Sequence, residues 1–293
     1  MTTTNRRSFL KMAGSCSLLS IVSNGIALPN LTANDENQPY RVGVCAWNMP
    51  GYARNPESFA MARELGFQGV QLLYHPIEEP VYTKKENQDR FLQAAKNENM
   101  EIISFSIGIV CIRPFATDPD AEKWVSDCLD VMHEMKVRNL LLPFFAEGDL
   151  IDKPEEQKQT VAKLKKLAPK AEKLGLAISI ESYLSVEDHL RMIDEVGSDA
   201  VKVYYDIQNM ANKGYDVLEG IRILAQRDLI SEVHLKDDTH RLIDSPLHYP
   251  KVSETLQEVG YHGWVVVEAS ISGDWKESYA SNAGFARKIF GIR

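Results

Sequence analysis

Apolar positions along the chain fall into two alternating rhythms. Short β-branched runs of about five or six residues are followed by longer stretches in which apolar residues recur every three or four positions. The short runs predict buried parallel strands, which are covered on both faces and so need continuous apolar sequence. The longer stretches predict amphipathic helices. Strands are expected over 41–47, 69–74, 101–106 and 139–143, and then in runs ending at Glu181, Asp206, His234 and Glu268. Helices are expected over 56–65, 85–97, 118–135, 153–174, 186–196, 215–226, 252–259 and 276–290. Gly66, Gly175, Gly197 and Gly260 stop four of them. Pro119 suits the first turn of the third helix, and Pro169 is placed to kink the fourth. Eight strand–helix units are the number that closes an α/β (β/α)8 TIM barrel, expected as one catalytic domain over 40–293.

Composition narrows the picture. The chain has 293 residues, 44% of them apolar, enough for a large core. Residues 1–28 carry Arg6, Arg7 and Lys11 and no acid. The core Arg6-Arg7-Ser8-Phe9-Leu10-Lys11, followed by a modest apolar stretch, resembles a twin-arginine export signal. That segment predicts a periplasmic protein, and residues 29–39 are expected as a flexible leader. Removing residues 1–28 leaves 30 bases against 41 acids, or −11. Such a balance argues against a nucleic-acid partner, which needs a basic face. No later run reaches the roughly 18 apolar residues of a membrane span. Cys45, Cys111 and Cys128 are too few and too widely spaced for a disulfide framework, and Cys45 and Cys111 are expected as buried apolar residues.

Candidate chemistry sits at the strand ends. Glu181, Asp206, His234 and Glu268 each close an apolar run, separated by 25, 28 and 34 residues. A β/α unit is roughly 30 residues long, so the four stand one per unit at the carboxyl ends that converge on a barrel mouth. Singly, an acid after a strand is usually a helix cap and a histidine in a strand is usually core. Four ligand-type residues ending four consecutive strands point to a divalent metal site. Three carboxylates and an imidazole suit manganese first, with magnesium, cobalt or zinc as alternatives. A metal there could polarise a substrate carbonyl and acidify the adjoining C–H. Trp47 and His75 follow the first two strands, where rings and polar groups fit a sugar pocket as well as ordinary rim packing.

Ile180-Glu181-Ser182, Tyr205-Asp206, Val233-His234-Leu235-Lys236-Asp237 and the run from Gly260-Tyr261 through Gly263-Trp264 to Glu268 resemble the sugar phosphate isomerase/epimerase family. This is a group of xylose isomerase-like barrels that includes ketose 3-epimerases and, more distantly, endonuclease IV. The resemblance implies Glu181 and Glu268 as paired acid/base residues and metal ligands, with Asp206 and His234 as ligands only. It implies proton abstraction beside a carbonyl through a cis-enediolate, with reprotonation from the opposite face. It also implies substrate contacts at Glu187, six residues after Glu181, and at Lys236 and His240. Asn209 departs from the pattern, standing where the epimerases carry a substrate-binding histidine. The expected activity is a metal-dependent sugar isomerase or epimerase. The alternative is a 3-keto-glycoside lyase or hydratase that uses the same proton abstraction for β-elimination. A non-catalytic sugar-binding protein is the third reading. The expected partner is a small-molecule sugar, and the family habit of association suggests a homo-oligomer. An endonuclease-like repair role is disfavoured by the −11 charge and by a complement of seven histidines.

Overall fold

The computed structural model describes residues 39–77, 81–269 and 273–292. The twin-arginine-type segment, and the leader apart from Pro39, lie outside the described residues. Eight strands run in parallel: β1 (Tyr40–Cys45), β2 (Gly69–Leu73), β3 (Glu101–Ser106), β4 (Asn139–Phe144), β5 (Ala177–Ser182), β6 (Val201–Asp206), β7 (Ile230–Asp237) and β8 (Gly263–Ala269). Each pairs with its sequence neighbour, and β8 pairs with β1 through Tyr40↔Gly263 to Val44↔Val267, so the sheet closes as a barrel. The outer layer is α1 (Ser58–Glu64), α2 (Lys85–Asn97), α3 (Ala121–Met135), α4 (Pro154–Leu174), α5 (Val186–Val196), α6 (Ile207–Asn212), α7 (Val217–Ala225), α8 (Tyr249–Glu258) and α9 (Trp275–Ile289). No helix among the described residues is long and apolar enough to cross a membrane.

The apolar strands work as the pattern requires. All six residues of β4 are buried, because helices cover one face and the barrel interior the other. Helix ends follow their caps. Ser185 accepts from the Asp188 N–H to start α5, and Gly175, at φ 67°, ends α4 in the left-handed conformation. Pro169 does not end α4, which continues through it. The carbonyl freed by the missing proline N–H belongs to Lys165, and both residues lie exposed on the outer face, where water can satisfy it.

Three further differences bear on the site. β7 does not stop at His234 but runs on to Asp237, because β8 continues beside it with Lys236↔Glu268 and Asp237↔Ala269 in register. The polar Lys236-Asp237 pair reads as loop in sequence, yet the ladder extends it. A short helix, α6, follows β6 directly; Asp206 caps it by accepting the Asn209 N–H at 2.8 Å. Cys111 is only partly buried, since it sits in the turn after β3 rather than inside the barrel.

Side chains pack tightly in the layer around Gly69. Near the amino end of the barrel, Ile103 and Trp264 occupy the space beside Gly69, where an added Cβ would lie 2.6 Å from Trp264 Cη2 and 2.8 Å from Ile103 Cγ1. Gly69→Ala is therefore expected to destabilise the fold by about 1–3 kcal/mol, measured by denaturant unfolding, without altering the mouth at the opposite end. Unchanged stability would show that this layer is loosely packed.

Candidate metal centre

The strand ends bring Glu181, Asp206, His234 and Glu268 together, with one ligand atom from each lying within 4.8 Å of all the others. Glu181 is next to last in β5, Asp206 ends β6, His234 is fifth of eight residues in β7, and Glu268 is next to last in β8. His234 Nδ1 is the hub: it lies 2.9 Å from Glu181 Oε1, 3.3 Å from Glu268 Oε2 and 3.6 Å from Asp206 Oδ2. The first three residues are buried and Glu268 is partly exposed, so the cluster opens to solvent along the β8 side.

The two oxygens of Asp206 have different surroundings. Oδ1 caps α6, whereas Oδ2 is buried and has no hydrogen-bond partner. A buried carboxylate oxygen without a hydrogen bond is costly, and with only His234 Nδ1, at 3.6 Å, as a cationic neighbour it is placed for a cation to satisfy. The donor set of three carboxylates and one imidazole fits a single divalent ion.

Burial pushes the pKa of Glu181 up to about 7, against the neighbouring His234, which lowers it. For His234, burial opposes the charged form, but the Glu181 and Glu268 carboxylates outweigh it and hold its pKa well above the ordinary histidine value. Lys236 follows the same logic: burial opposes its charge, yet Glu268, Asp206 and Glu181 keep its pKa above the usual lysine range.

Around the cluster, the expected substrate residues divide. Trp47 Nε1 donates to Glu268 Oε1 at 3.0 Å, and Lys236 Nζ lies 3.2 Å from Glu268 Oε2, so both act on a cluster residue. These two, with Asn48, Pro50 and Asp238, line a cavity of about 380 Å³ over Glu268. Asn209 is buried, its N–H committed to Asp206 and its Nδ2 without a hydrogen-bond partner. Glu187 lies exposed in the first turn of α5, where an acid also favours the helix start. His240 turns its Nδ1 to Asp237 Oδ1 at 3.3 Å and to Thr239, within its own turn. His75 is half-buried just after β2.

Sequence reading missed the polar residues beneath the cluster. His234 Nε2 is 3.2 Å from Gln71 Oε1 and 3.6 Å from Cys45 Sγ, and the Tyr204 ring packs 4.3 Å from the imidazole. Gln71 Nε2 donates to Ser104 Oγ at 2.9 Å, and Ser104 donates to Glu232 Oε2 at 2.8 Å. All are buried. A signal was present, because Gln71, Ser104 and Glu232 interrupt otherwise apolar runs, and a buried polar side chain must find a partner.

Residues 59–289 match the family described as xylose isomerase-like TIM barrel. The chain belongs to that family. A D-psicose 3-epimerase of Enterocloster bolteae is 21% identical over 248 residues, covering 78% of this chain and 81% of the relative. Among solved structures, the 3-keto-D-glucoside 4-epimerase of E. coli aligns with a TM-score of 0.72 and 17% identity, over 85% of this chain and 99% of that one. The D-psicose 3-epimerase of Clostridium cellulolyticum, solved with D-tagatose, gives 0.71 and 15%, over the same shares. At these identities the structural likenesses establish the barrel of this family member.

The protonation of the cluster has a measurable consequence. Glu181 and His234 both bind protons more tightly in the folded chain than in the unfolded one. Their contribution to the stability of the metal-free protein is thus present at low pH. The Glu181 part is lost as pH rises from its unfolded value near 4.5 through about 7, and the His234 part at higher pH still. A divalent ion must displace those protons. The rise in melting temperature on adding Mn²⁺ is expected to grow from pH 5 to pH 8, and a shift that shrinks over that range would contradict the assignment.

Proposed function

We propose that this protein is a metal-dependent sugar epimerase or isomerase that moves a proton beside a carbonyl, with Glu181 and Glu268 as the acid/base pair. The observation that carries this reading is the convergence of two glutamates, an aspartate and a histidine on one point, with Asp206 Oδ2 buried and unpartnered there. The named epimerase relatives support the reaction class. When bound, a divalent ion would polarise the substrate carbonyl and lower the pKa of the neighbouring C–H. Mn²⁺ is the first candidate, with Mg²⁺, Co²⁺ and Zn²⁺ behind it.

The protein's own groups supply the proton steps. β5 and β8 stand three strands apart around the ring, so Glu181 and Glu268 can reach opposite faces of a sugar lying across the mouth. One carboxylate takes the proton and leaves an enediolate; the other returns a proton from the far side and inverts the centre. Their surroundings differ. Glu268 receives the Trp47 N–H on one oxygen and Lys236 on the other. Burial favours a proton on Glu181. Environments that separate two carboxyls in this way suit a base and an acid. Glu181 and Glu268 therefore exchange the two roles, one acting as base and the other as acid in each direction.

The substrate is read as an uncharged sugar. The cavity over Glu268 is lined by one cation, Lys236, which is already paired with Glu268, and by the acid Asp238. A sugar phosphate would bring its charge beside two carboxylates, with no free cation among the described lining residues to receive it. A 3-keto-glycoside is the second reading, favoured by the fold shared with the 3-keto-D-glucoside 4-epimerase. On such a substrate the same proton abstraction could expel the C1 substituent. An export route through the twin-arginine-type segment would place either reaction in the periplasm.

Wild-type, Glu181→Gln and Glu268→Gln proteins, each loaded with Mn²⁺, should be assayed on free ketoses and 3-keto-glucosides. Each variant is expected to lose turnover by roughly 10²–10⁴-fold while still binding metal, though more weakly. Full activity in either variant would remove that residue from the acid/base pair. Release of an aglycone by the wild type would select the elimination reading.

A further inference from the structure

His234 can serve a metal only if Nδ1, the nitrogen facing the three carboxylates, carries no proton. A neutral imidazole has one N–H, so Nε2 must then hold it and needs an acceptor behind the ring. That acceptor is Gln71 Oε1, 3.2 Å away. An amide can turn over, and with its NH₂ toward His234 it would demand an acceptor at Nε2 and force the proton onto Nδ1. The partners around Gln71 decide between the two arrangements. The Cys45 thiol also donates toward Gln71 Oε1, at 3.3 Å. On the other side, Gln71 Nε2 needs an acceptor and finds Ser104 Oγ at 2.9 Å.

Ser104 has a single hydroxyl proton. It donates it to Glu232 Oε2 at 2.8 Å, which leaves its lone pairs to accept from Gln71. Glu232 is an acceptor from its other side as well. The Asn139 carbonyl is occupied by the Ser179 hydroxyl at 2.5 Å, so its amide NH₂ is left to serve Ser231 Oγ, at 3.5 Å, and Glu232. Every member of this column is buried, and its amino end, at Glu232 and Asn139, borders a cavity of about 540 Å³.

We infer that Glu232, Ser104 and Gln71 form a directional hydrogen-bond relay through the barrel core that fixes the His234 tautomer, presenting Nδ1 to the metal. They are positioning residues: none reaches the sugar, and Glu232 and Ser104 act only through Gln71. The inference rests on the metal-site reading above. Partners of this kind behind a metal-bound histidine are typically worth 10–100-fold in metal affinity.

The test is Mn²⁺ titration of wild-type, Ser104→Ala and Ser104→Thr proteins by calorimetry, with NMR of the imidazole nitrogens in the Mg²⁺-loaded forms. Ser104 touches neither His234 nor the cluster, and its truncation is small enough for the barrel to fold. The relay predicts that Ser104→Ala weakens Mn²⁺ binding about tenfold or more. It predicts that Ser104→Thr, which keeps the hydroxyl, restores most of the affinity. It also predicts one protonated Nε2 signal for His234 in the wild type, weakened or exchange-broadened in Ser104→Ala. Equal affinity in Ser104→Ala and wild type would overturn the relay and leave the metal site standing, as would equal weakening by Ala and Thr. A lower melting temperature of the metal-free Ser104→Ala protein with unchanged Mn²⁺ affinity would reduce the column to a packing role. Failure of the wild type to bind any divalent ion would remove both the relay and the metal site.

Discussion

The structure depends on keeping three carboxylates beside one another at the end of a barrel. Two unit negative charges about 4 Å apart repel by about 4 kcal/mol at an effective dielectric constant of 20, and the cluster contains three such pairs within 4.8 Å. A chain of marginal stability does not carry that cost idly. Either protons or a cation must neutralise it. The raised pKa values of Glu181 and His234 show the first answer, and the unpartnered Asp206 Oδ2 points to the second. Competition between them couples metal binding to pH.

The rest of the barrel serves that constraint. Ring closure brings Trp47 to Glu268 across 221 residues of chain, and His234 to Gln71 across 163. Donors on the solvent side hold Glu268, while the polar column below holds the imidazole. The asymmetry between the two glutamates follows from position: β5 buries the Glu181 side chain at 4% exposure, and β8 leaves the Glu268 side chain at 18%. One fold thus gives two similar groups different surroundings without any difference in residue type.

Much of this was legible in the sequence because it is local. Apolar runs placed all eight strands, and the helices over 85–97 and 186–196 have their expected bounds. The four cluster residues were legible because each ends a run and spacing maps to barrel position. What could not be read depends on neighbours across the sheet. β7 outlasts His234 only because β8 lies beside it, and α6 exists because Asp206 turns one oxygen back to the chain. Lys236 and Trp47 were singled out for substrate, but their contact with Glu268 follows from register and closure. Gln71, Ser104 and Glu232 were visible as polar interruptions, yet their shared direction emerges only when three strands are brought together.

The central claim is that Glu181, Asp206, His234 and Glu268 bind one divalent ion. It is tested most directly by counting Mn²⁺ bound to the purified full-length protein by electron paramagnetic resonance, with Asp206→Ala beside the wild type. One ion per wild-type chain, lost or greatly weakened in Asp206→Ala, is the predicted result. No stoichiometric binding, or binding that survives Asp206→Ala unchanged, would contradict the account.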